Sequence, residues 1–357
     1  MGMIDRVNLY KDIELDSNKF NLKLKKYYDE MVDITTGEIL KKISLYMYMM
    51  NGVKFLYVVK SNKLIVQGRL IMLLRNANHV YNLDDVYIQR EEIRHKVNSK
   101  LRELFNCDID ILDFNVATVE INFNIFNVNA SLYIELFNKI VEDRQDNRYI
   151  SYTHENNLPI NTSVYLKSKY NYDNNINKTY AINFYNKYNQ LCSLKERAEE
   201  SQGNKINITS NDLDLAKNVL RLEIKCANYE IRKYSRTFKA YFEDIYLCRD
   251  IVLTKYKRFI CNTRLDFYNY YEAKKIVQNT DKLKTNSKKK LLQYLEMRYA
   301  KKKKYSKDEL KKYFKMLEVL NIAPAIIPTK YSIEKLESPI KHLDKKIENL
   351  MENASNI

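Results

Sequence analysis

Apolar and polar residues alternate with period two over several short stretches of this chain and recur near 3.6 over others, the mixed signature of strands and helices. Val53-Lys-Phe-Leu-Tyr-Val-Val59 and Lys63-Leu-Ile-Val-Gln-Gly68 flank Lys60-Ser-Asn62, which predicts a hairpin. Val86, Ile93, Val97, Leu101 and Leu104 predict a helix over 83–105, capped by Asp84 or Asp85. Val116-Ala-Thr-Val-Glu120-Ile-Asn122-Phe-Asn124-Ile reads as a strand and leads into a helix over 130–143. Residues 144–162 are polar, contain Pro159 and read as a loop. Two strands follow, Ser163-Val-Tyr-Leu-Lys167 and Tyr180-Ala-Ile-Asn-Phe-Tyr185-Asn-Lys187, with a turn at Tyr172-Asp-Asn-Asn175. A helix over 191–200, a polar stretch over 203–214 expected to be mobile, and a strand over 219–226 complete the set.

From Asp244 onward the pattern is mostly helical, including helices over 287–298 and 307–320. Ser306 and Glu309 form a capping box before the second. An amphipathic stretch over 332–351 either packs back or self-associates, so a homodimer stays open. The fold class is therefore α+β: a mainly antiparallel sheet with helices packed on one face, then an all-helical, basic, helix-turn-helix-like C-terminal region. The expected divisions are a catalytic domain over 1–245, a helical connector over 246–281, a basic DNA-binding region over 282–335 and an amphipathic tail over 336–357.

Charge sharpens this picture. Among 357 residues, 61 Lys+Arg against 45 Asp+Glu give a net +16, which favours a polyanionic partner, nucleic acid before membrane. Residues 282–330 hold fifteen Lys+Arg against four Asp+Glu, so most of the excess sits there. Lys288, Lys289, Lys290, Lys301, Lys302, Lys303, Lys304, Lys311 and Lys312 are the candidate DNA contacts. A solvated basic helical hairpin is the plainer reading of the same residues. No apolar run reaches the ~18 residues of a membrane-crossing helix, and no signal peptide opens the chain. Five scattered cysteines without CxxC spacing read as reduced thiols of a cytoplasmic protein. Thirty tyrosines, no tryptophan and five glycines match an AT-rich coding bias, so tyrosine position carries more than tyrosine number.

Period-two alternation sorts the chemistry. Val119, Ile121, Phe123 and Ile125 turn Glu120, Asn122 and Asn124 to the opposite face. Ile182 and Phe184 do the same for Asn183, Tyr185 and Lys187, and Leu220, Leu222 and Ile224 for Arg221, Glu223 and Lys225. If these strands are neighbours, one exposed sheet face carries a tyrosine, cations and carboxylates, the parts needed to attack a phosphodiester. Tyr185 is the candidate nucleophile, Lys187 its nearby cation and Arg221 the phosphate clamp. Glu120, Asn122 and Glu223 offer oxygen ligands to Mg²⁺ or Mn²⁺. Equally, a strand Arg-x-Glu is the ordinary pattern of a cross-strand ion pair, and a strand Tyr packs. Tyr165, Tyr180 and Tyr188 are rivals to Tyr185, because a one-residue slip reassigns a face. No P-loop, GxGxxG, HExxH or His-x-His occurs, which argues against an ATPase, a Rossmann oxidoreductase or a zinc enzyme.

In order along the chain, five segments resemble the gene II replication proteins of filamentous phages and related rolling-circle plasmid initiators. Met3-Ile-Asp5 resembles the family's opening Met-Ile-Asp, and Ala77-Asn-His-Val-Tyr81 with Asp85 resembles its Gly-His-Asn-Val-Phe segment. Thr118-Val-Glu-Ile-Asn122 falls at a strand ending Arg-Ile-Asp, Phe184-Tyr185-Asn-Lys187 at the Tyr-x-Lys active-site strand, and Val219-Leu-Arg221-Leu-Glu223-Ile-Lys225 at the Arg-Phe-Glu strand. The similarity covers roughly 1–240. Asn122 stands where the family has an acidic residue, with Glu120 as a substitute. The resemblance implies a DNA nickase and strand transferase that forms a 5′-phosphotyrosine at Tyr185 and a free 3′-OH. It also implies a double-stranded origin, a single-stranded product, and a host helicase and DNA polymerase as partners. The rival readings are a non-catalytic, sequence-specific DNA-binding protein such as a replicon repressor, and an RNA-binding protein with an aromatic-rich sheet.

Overall fold

A computed structural model describes residues 4–32, 39–74, 89–144, 149–152, 163–168, 180–200, 208–227, 229–300 and 305–355. The chain first lays down β1 (Ile4–Asp12), β2 (Lys25–Val32), β3 (Ile39–Met50), β4 (Val53–Val58) and β5 (Lys63–Gly68). Then come α1 (Arg90–Phe105), β6 (Asn115–Ile125), α2 (Ala130–Arg144), β7 (Tyr149–Tyr152), β8 (Ser163–Ser168) and β9 (Tyr180–Asn186). The middle of the chain continues with α3 (Lys187–Glu200), α4 (Ser210–Ala216), β10 (Leu220–Ala227), α5 (Tyr229–Arg232), α6 (Phe238–Glu243) and α7 (Ile245–Phe259). Last are β11 (Asp266–Asn269), α8 (Tyr270–Asn279), α9 (Thr285–Tyr299), α10 (Lys307–Val319), β12 (Ile322–Ile327), β13 (Lys335–Leu336) and α11 (Pro339–Ser355).

Strands β1 to β10 form one sheet in the order β2-β3-β4-β5-β1-β6-β10-β9-β8-β7. Every neighbouring pair in it is antiparallel. The α+β expectation holds. Alternation works as expected: Val119, Ile121 and Phe123 of β6, Ile182 and Phe184 of β9, and Leu222 and Ile224 of β10 are all buried in one core. Helices α1, α2 and α7 cover this apolar face. Phe137 of α2 packs its ring 4.8 Å from Phe184, and Tyr256 of α7 lies 6.3 Å from the same ring. At the other end Phe20 meets Tyr46, Tyr57 and Phe105 edge-on at 5.0, 5.3 and 5.3 Å. Such edge-to-face pairs contribute about 0.5–1.5 kcal/mol each beyond area burial.

A smaller sheet, β12-β11-β13, lies in the C-terminal half, where the pattern had suggested helices alone. Its parallel β11–β12 pair needs a long crossover, and α8, α9 and α10 supply it. These helices enclose a second apolar cluster that includes Tyr270, Val277, Leu291, Tyr294, Leu310 and Leu317. The amphipathic tail packs back: Ile340, Leu343 and Ile347 of α11 belong to the main core. Asp266 at the start of β11 accepts bonds from Lys341 Nζ at 2.7 Å and the Ser338 N–H at 3.0 Å, pinning the first turn of α11.

Other expectations meet specific outcomes. The hairpin forms, with a 3₁₀ turn over Val59–Ser61 and Asn62 in the left-handed region at φ 47°. Ile93, Val97, Leu101 and Leu104 are the buried stripe of α1, whereas Asp84, Asp85 and Val86 lie outside the described residues, as does the Tyr172–175 turn. Residues 210–214 of the stretch expected to be mobile are helical, within α4, because Thr209 and Asp212 form a capping box. Within the expected loop over 144–162, Tyr149–Tyr152 is a strand on the edge of the sheet.

Candidate active site

Strand register assembles the polar face. On β6 and β10, Glu120 lies opposite Lys225, Asn122 opposite Glu223 and Asn124 opposite Arg221. On β10 and β9, Arg221 lies opposite Tyr185 and Glu223 opposite Asn183. Two cross-strand rows result: Asn124–Arg221–Tyr185 and Asn122–Glu223–Asn183. β1 joins through a bulge, since Ile4 pairs with Ile121 but Arg6 with Glu120. The extra residue is Asp5, and the bulge turns it toward the polar side.

Asp5 is the hub. Arg221 Nη2 donates to Asp5 Oδ2 at 2.9 Å, and Arg69 Nη2 approaches the same oxygen at 3.2 Å. The Tyr185 hydroxyl donates to Glu223 Oε2 at 3.0 Å, and Arg221 Nε lies 3.6 Å from that oxygen. Arg69 follows Gly68, whose φ of 142° lets the chain leave β5. A Cβ there would stand 2.7 Å from the Gly52 carbonyl oxygen. Lys187 differs from expectation: β9 ends at Asn186, and Lys187 is the first residue of α3. The Lys187 N–H still reaches the Val219 carbonyl at 3.0 Å. Its side chain turns inward, donating from Nζ to Gln190 Oε1 at 2.7 Å and lying 5.9 Å from the Tyr185 ring centre.

The face was expected to be exposed, and here the structure corrects the sequence reading. Arg221 is 3% exposed, Lys187 4%, Tyr185 5% and Asn122 3%. Buried charge persists only where partners offset lost hydration, and Arg221 has two carboxylates for that purpose. Solvent reaches the cluster chiefly at Arg69 and Glu223, whose side chains are 34% and 22% exposed.

Ionisation follows from this enclosure. Burial pushes the Asp5 carboxyl up, yet Arg221, Arg69 and Lys187 outweigh it and hold the group below its ordinary value. Burial drives the Tyr185 phenol well up; Arg221 opposes this, while Glu223 and Asp5 add to it. Burial, then Arg221 and Arg69, lower Lys187 far below an ordinary ammonium, against the pull of Asp5 and Glu223. Burial and then the neighbouring Glu223 raise Glu120, which Lys225 partly offsets at 3.2 Å.

Among the described residues no group of three or more His, Cys, Asp and Glu is placed to hold a metal. The oxygen donors here are of mixed type. Asn122 Oδ1 and Asn183 Oδ1 are buried, have no hydrogen-bond partner and flank Glu223 in one row. Two unbonded amide oxygens beside a carboxylate suit a hard divalent cation, so the residues fit Mg²⁺ or Mn²⁺.

Three tyrosines had competed with Tyr185. Tyr180 lies against Phe259, with Lys255 Nζ 4.1 Å from its ring, among the α7 contacts. Tyr188 sits on α3 and packs toward the Leu191, Ile208 and Ala216 cluster. Tyr165 alone shares the polar face: it lies opposite Asn183, and burial, Glu223 and Glu120 raise its phenol. Period-two reading placed Asn183 on this face without giving it a role, and it missed Asp5, Arg69 and Gln190 as members. Asp5 carried a signal only through the opening Met-Ile-Asp segment, and nothing in the pattern marked Arg69.

The basic helices form where expected, α9 and α10. Lys289, Lys290, Lys311 and Lys312 are exposed, and Lys288 donates to the Gln278 carbonyl at 3.4 Å. Lys301, Lys302, Lys303 and Lys304 lie outside the described residues. Arg298 of α9 donates from Nη1 to Asp143 of α2 at 2.8 Å. Because α2 packs on Phe184, these helices sit behind the sheet, across it from Tyr185.

No family model matches this sequence, and no curated protein matches it either. Among the described residues no helix is long and apolar enough to cross a membrane.

Proposed function

We propose that the chain is a tyrosine DNA nickase and strand transferase that initiates rolling-circle replication. One observation carries this reading: register and a β-bulge bring Tyr185, Glu223, Arg221 and Asp5 from three strands into one cluster of hydrogen bonds and ion pairs, with Arg69 and Lys187 beside it.

In the proposed reaction the Tyr185 oxygen attacks the scissile phosphorus, and the bond to the 3′-oxygen breaks. The phenolic proton passes to Glu223 Oε2, which already accepts it at 3.0 Å. Lys187, whose ammonium form burial and two guanidiniums disfavour, is a second proton acceptor nearby. The departing 3′-oxygen keeps the bonding pair and takes a proton from water. Arg221 and Arg69 offset the charge that builds on the phosphoryl oxygens, and Asp5 holds both guanidiniums in place. Glu223, Asn122, Asn183 and Glu120 would hold the divalent cation, which when bound supplies Lewis-acid polarisation of the phosphate. The phosphotyrosine conserves the bond energy, so the reverse reaction closes a strand without a nucleotide cofactor. A DNA helicase and polymerase would extend the released 3′-OH.

The test is incubation of the protein with supercoiled origin plasmid and Mg²⁺ or Mn²⁺. Conversion to open circle with a covalent adduct, both lost in Tyr185→Phe, is the expected result. Nicking that survives Tyr185→Phe and disappears in Tyr165→Phe would move the nucleophile across the same face. A second reading, a non-catalytic DNA-binding protein, draws on the near-complete enclosure of Tyr185 and Arg221, each hydrogen-bonded to a neighbouring carboxylate as in a structural network. Tight origin binding without any nicking would favour it.

A further inference from the structure

The face that carries Tyr185 continues well beyond the cluster, across β1 and β5 to β2. Cross-strand partners there form an apolar row: Met47 of β3, Leu56 of β4, Ile65 of β5 and Tyr10 of β1 stand side by side. Cations ring it. Lys25 lies opposite Met47, Lys54 and Lys63 flank the row on either side, and Lys63 Nζ is 5.3 Å from the Tyr10 ring centre. The row is partly open, and Met49 beside it is 59% exposed. Phe20 and Phe105 pack on the other side of these strands, against Tyr46 and Tyr57. Arg6 joins this surface to the cluster, since it lies opposite Glu120, two residues from Asn122.

We propose that this face is the bed of the single strand that enters and leaves the Tyr185 cluster. The inference deepens the nickase reading and rests on it for the origin of that strand. An apolar and aromatic floor with a rim of lysines offers base stacking and phosphate contact together, the two sources of single-strand affinity. A duplex hides its base faces and gains only the rim. A second copy of this chain would set the same lysines against one another, because a two-fold interface pairs a patch with itself. Charge on this face therefore selects a polyanion over a self-contact.

The probe is a labelled oligothymidylate titrated against the full chain, with affinity read by anisotropy over a range of salt. Changing the exposed pair in K25E/K54E should weaken binding at least about 10-fold and lower the salt slope by roughly 1.4, since single strands lose about 0.7 per phosphate contact. Tyr10→Ala should weaken it by about 5-fold or more through lost stacking. Thermal melts of K25E/K54E should match the parent, because both positions are exposed. Unchanged affinity in all these variants would overturn the proposal. So would a strong preference for oligouridylate, which assigns the face to RNA, or a dimer in sedimentation that Met49→Asp dissociates. Plasmid nicking by the parent chain is scored separately. Face-dependent binding without nicking would sink the nickase alone, whereas nicking with face-independent binding would sink this inference alone.

Discussion

Two regions of this protein gather charge, and they handle it in opposite ways. The Tyr185 cluster encloses Asp5, Arg221 and Lys187 within the sheet and gives the first two charged partners. Helices α9 and α10 hold Lys289, Lys290, Lys311 and Lys312 in solvent, on the far side of the same sheet. Enclosed charge acts through geometry, because each group is held by its neighbours at low dielectric. Solvated lysines act through number, by displacing counterions from a polyanion. Composition reveals only the second kind: the basic block stands out at a glance, whereas the cluster is almost balanced and invisible to a charge count.

The two can be separated by experiment. The largest effect should come from Tyr185→Phe, with covalent adduct and nicking reduced by more than about 10³-fold and duplex affinity unchanged. A matching loss of duplex affinity would show that the two regions are one site. Asp5→Ala should come next. It strands Arg221 and Arg69 without their shared carboxylate, and urea unfolding should report about 3–5 kcal/mol of lost stability. A loss below about 1 kcal/mol would mean that the cluster is wet and not enclosed. Replacing Lys289, Lys290, Lys311 and Lys312 together by Ala should leave the melting temperature in place. The salt slope of duplex binding should fall by roughly 3–4, near 0.9 per lost phosphate contact.

A pH experiment sharpens the contrast further. Lys187 has a lowered pKa when folded and an ordinary one near ~10.4 when unfolded. Between those values the unfolded chain holds more protons, so this residue's contribution makes stability rise with pH across that window. The difference in unfolding free energy between the parent and Lys187→Met should therefore grow in the parent's favour as pH rises. A flat difference would place the amine in solvent. The smallest effect belongs to Lys225→Ala: its ion pair with Glu120 is half in solvent and is worth at most about 1 kcal/mol.

Strand alternation made the chemistry of β6, β9 and β10 legible, down to which residues share a face. It works there because one side of each strand meets helices and the other does not. The same rule could not reveal Asp5, since a bulge breaks period two at that residue. Nor could it reveal Arg69, which joins the cluster only after β5 has ended. Strands β2 and β3 went unread because exposed Tyr27, Tyr28 and Met49 blur the alternation. The burial of the face was equally out of reach, because strand alternation says nothing of what packs over the polar side. The helical hairpin was legible through Ser306 and Glu309, whose capping box forms as read. The strands β11 to β13 around it are short, and two to six residues give a periodicity too little length to register.

The return of α11 to the main core has a consequence for synthesis. Ile340, Leu343 and Ile347 complete a core that also holds Ile4, Val7 and Leu9, translated near the start of the chain. During translation the sheet must wait, with part of its apolar side uncovered, until α11 has left the ribosome. An amber stop placed before Pro339 would thus yield a polypeptide that has every residue of the Tyr185 cluster yet lacks a closed interior, and proteases should clear it. If the proposed nickase reading holds, cutting of DNA would begin only after the basic helices had also been made.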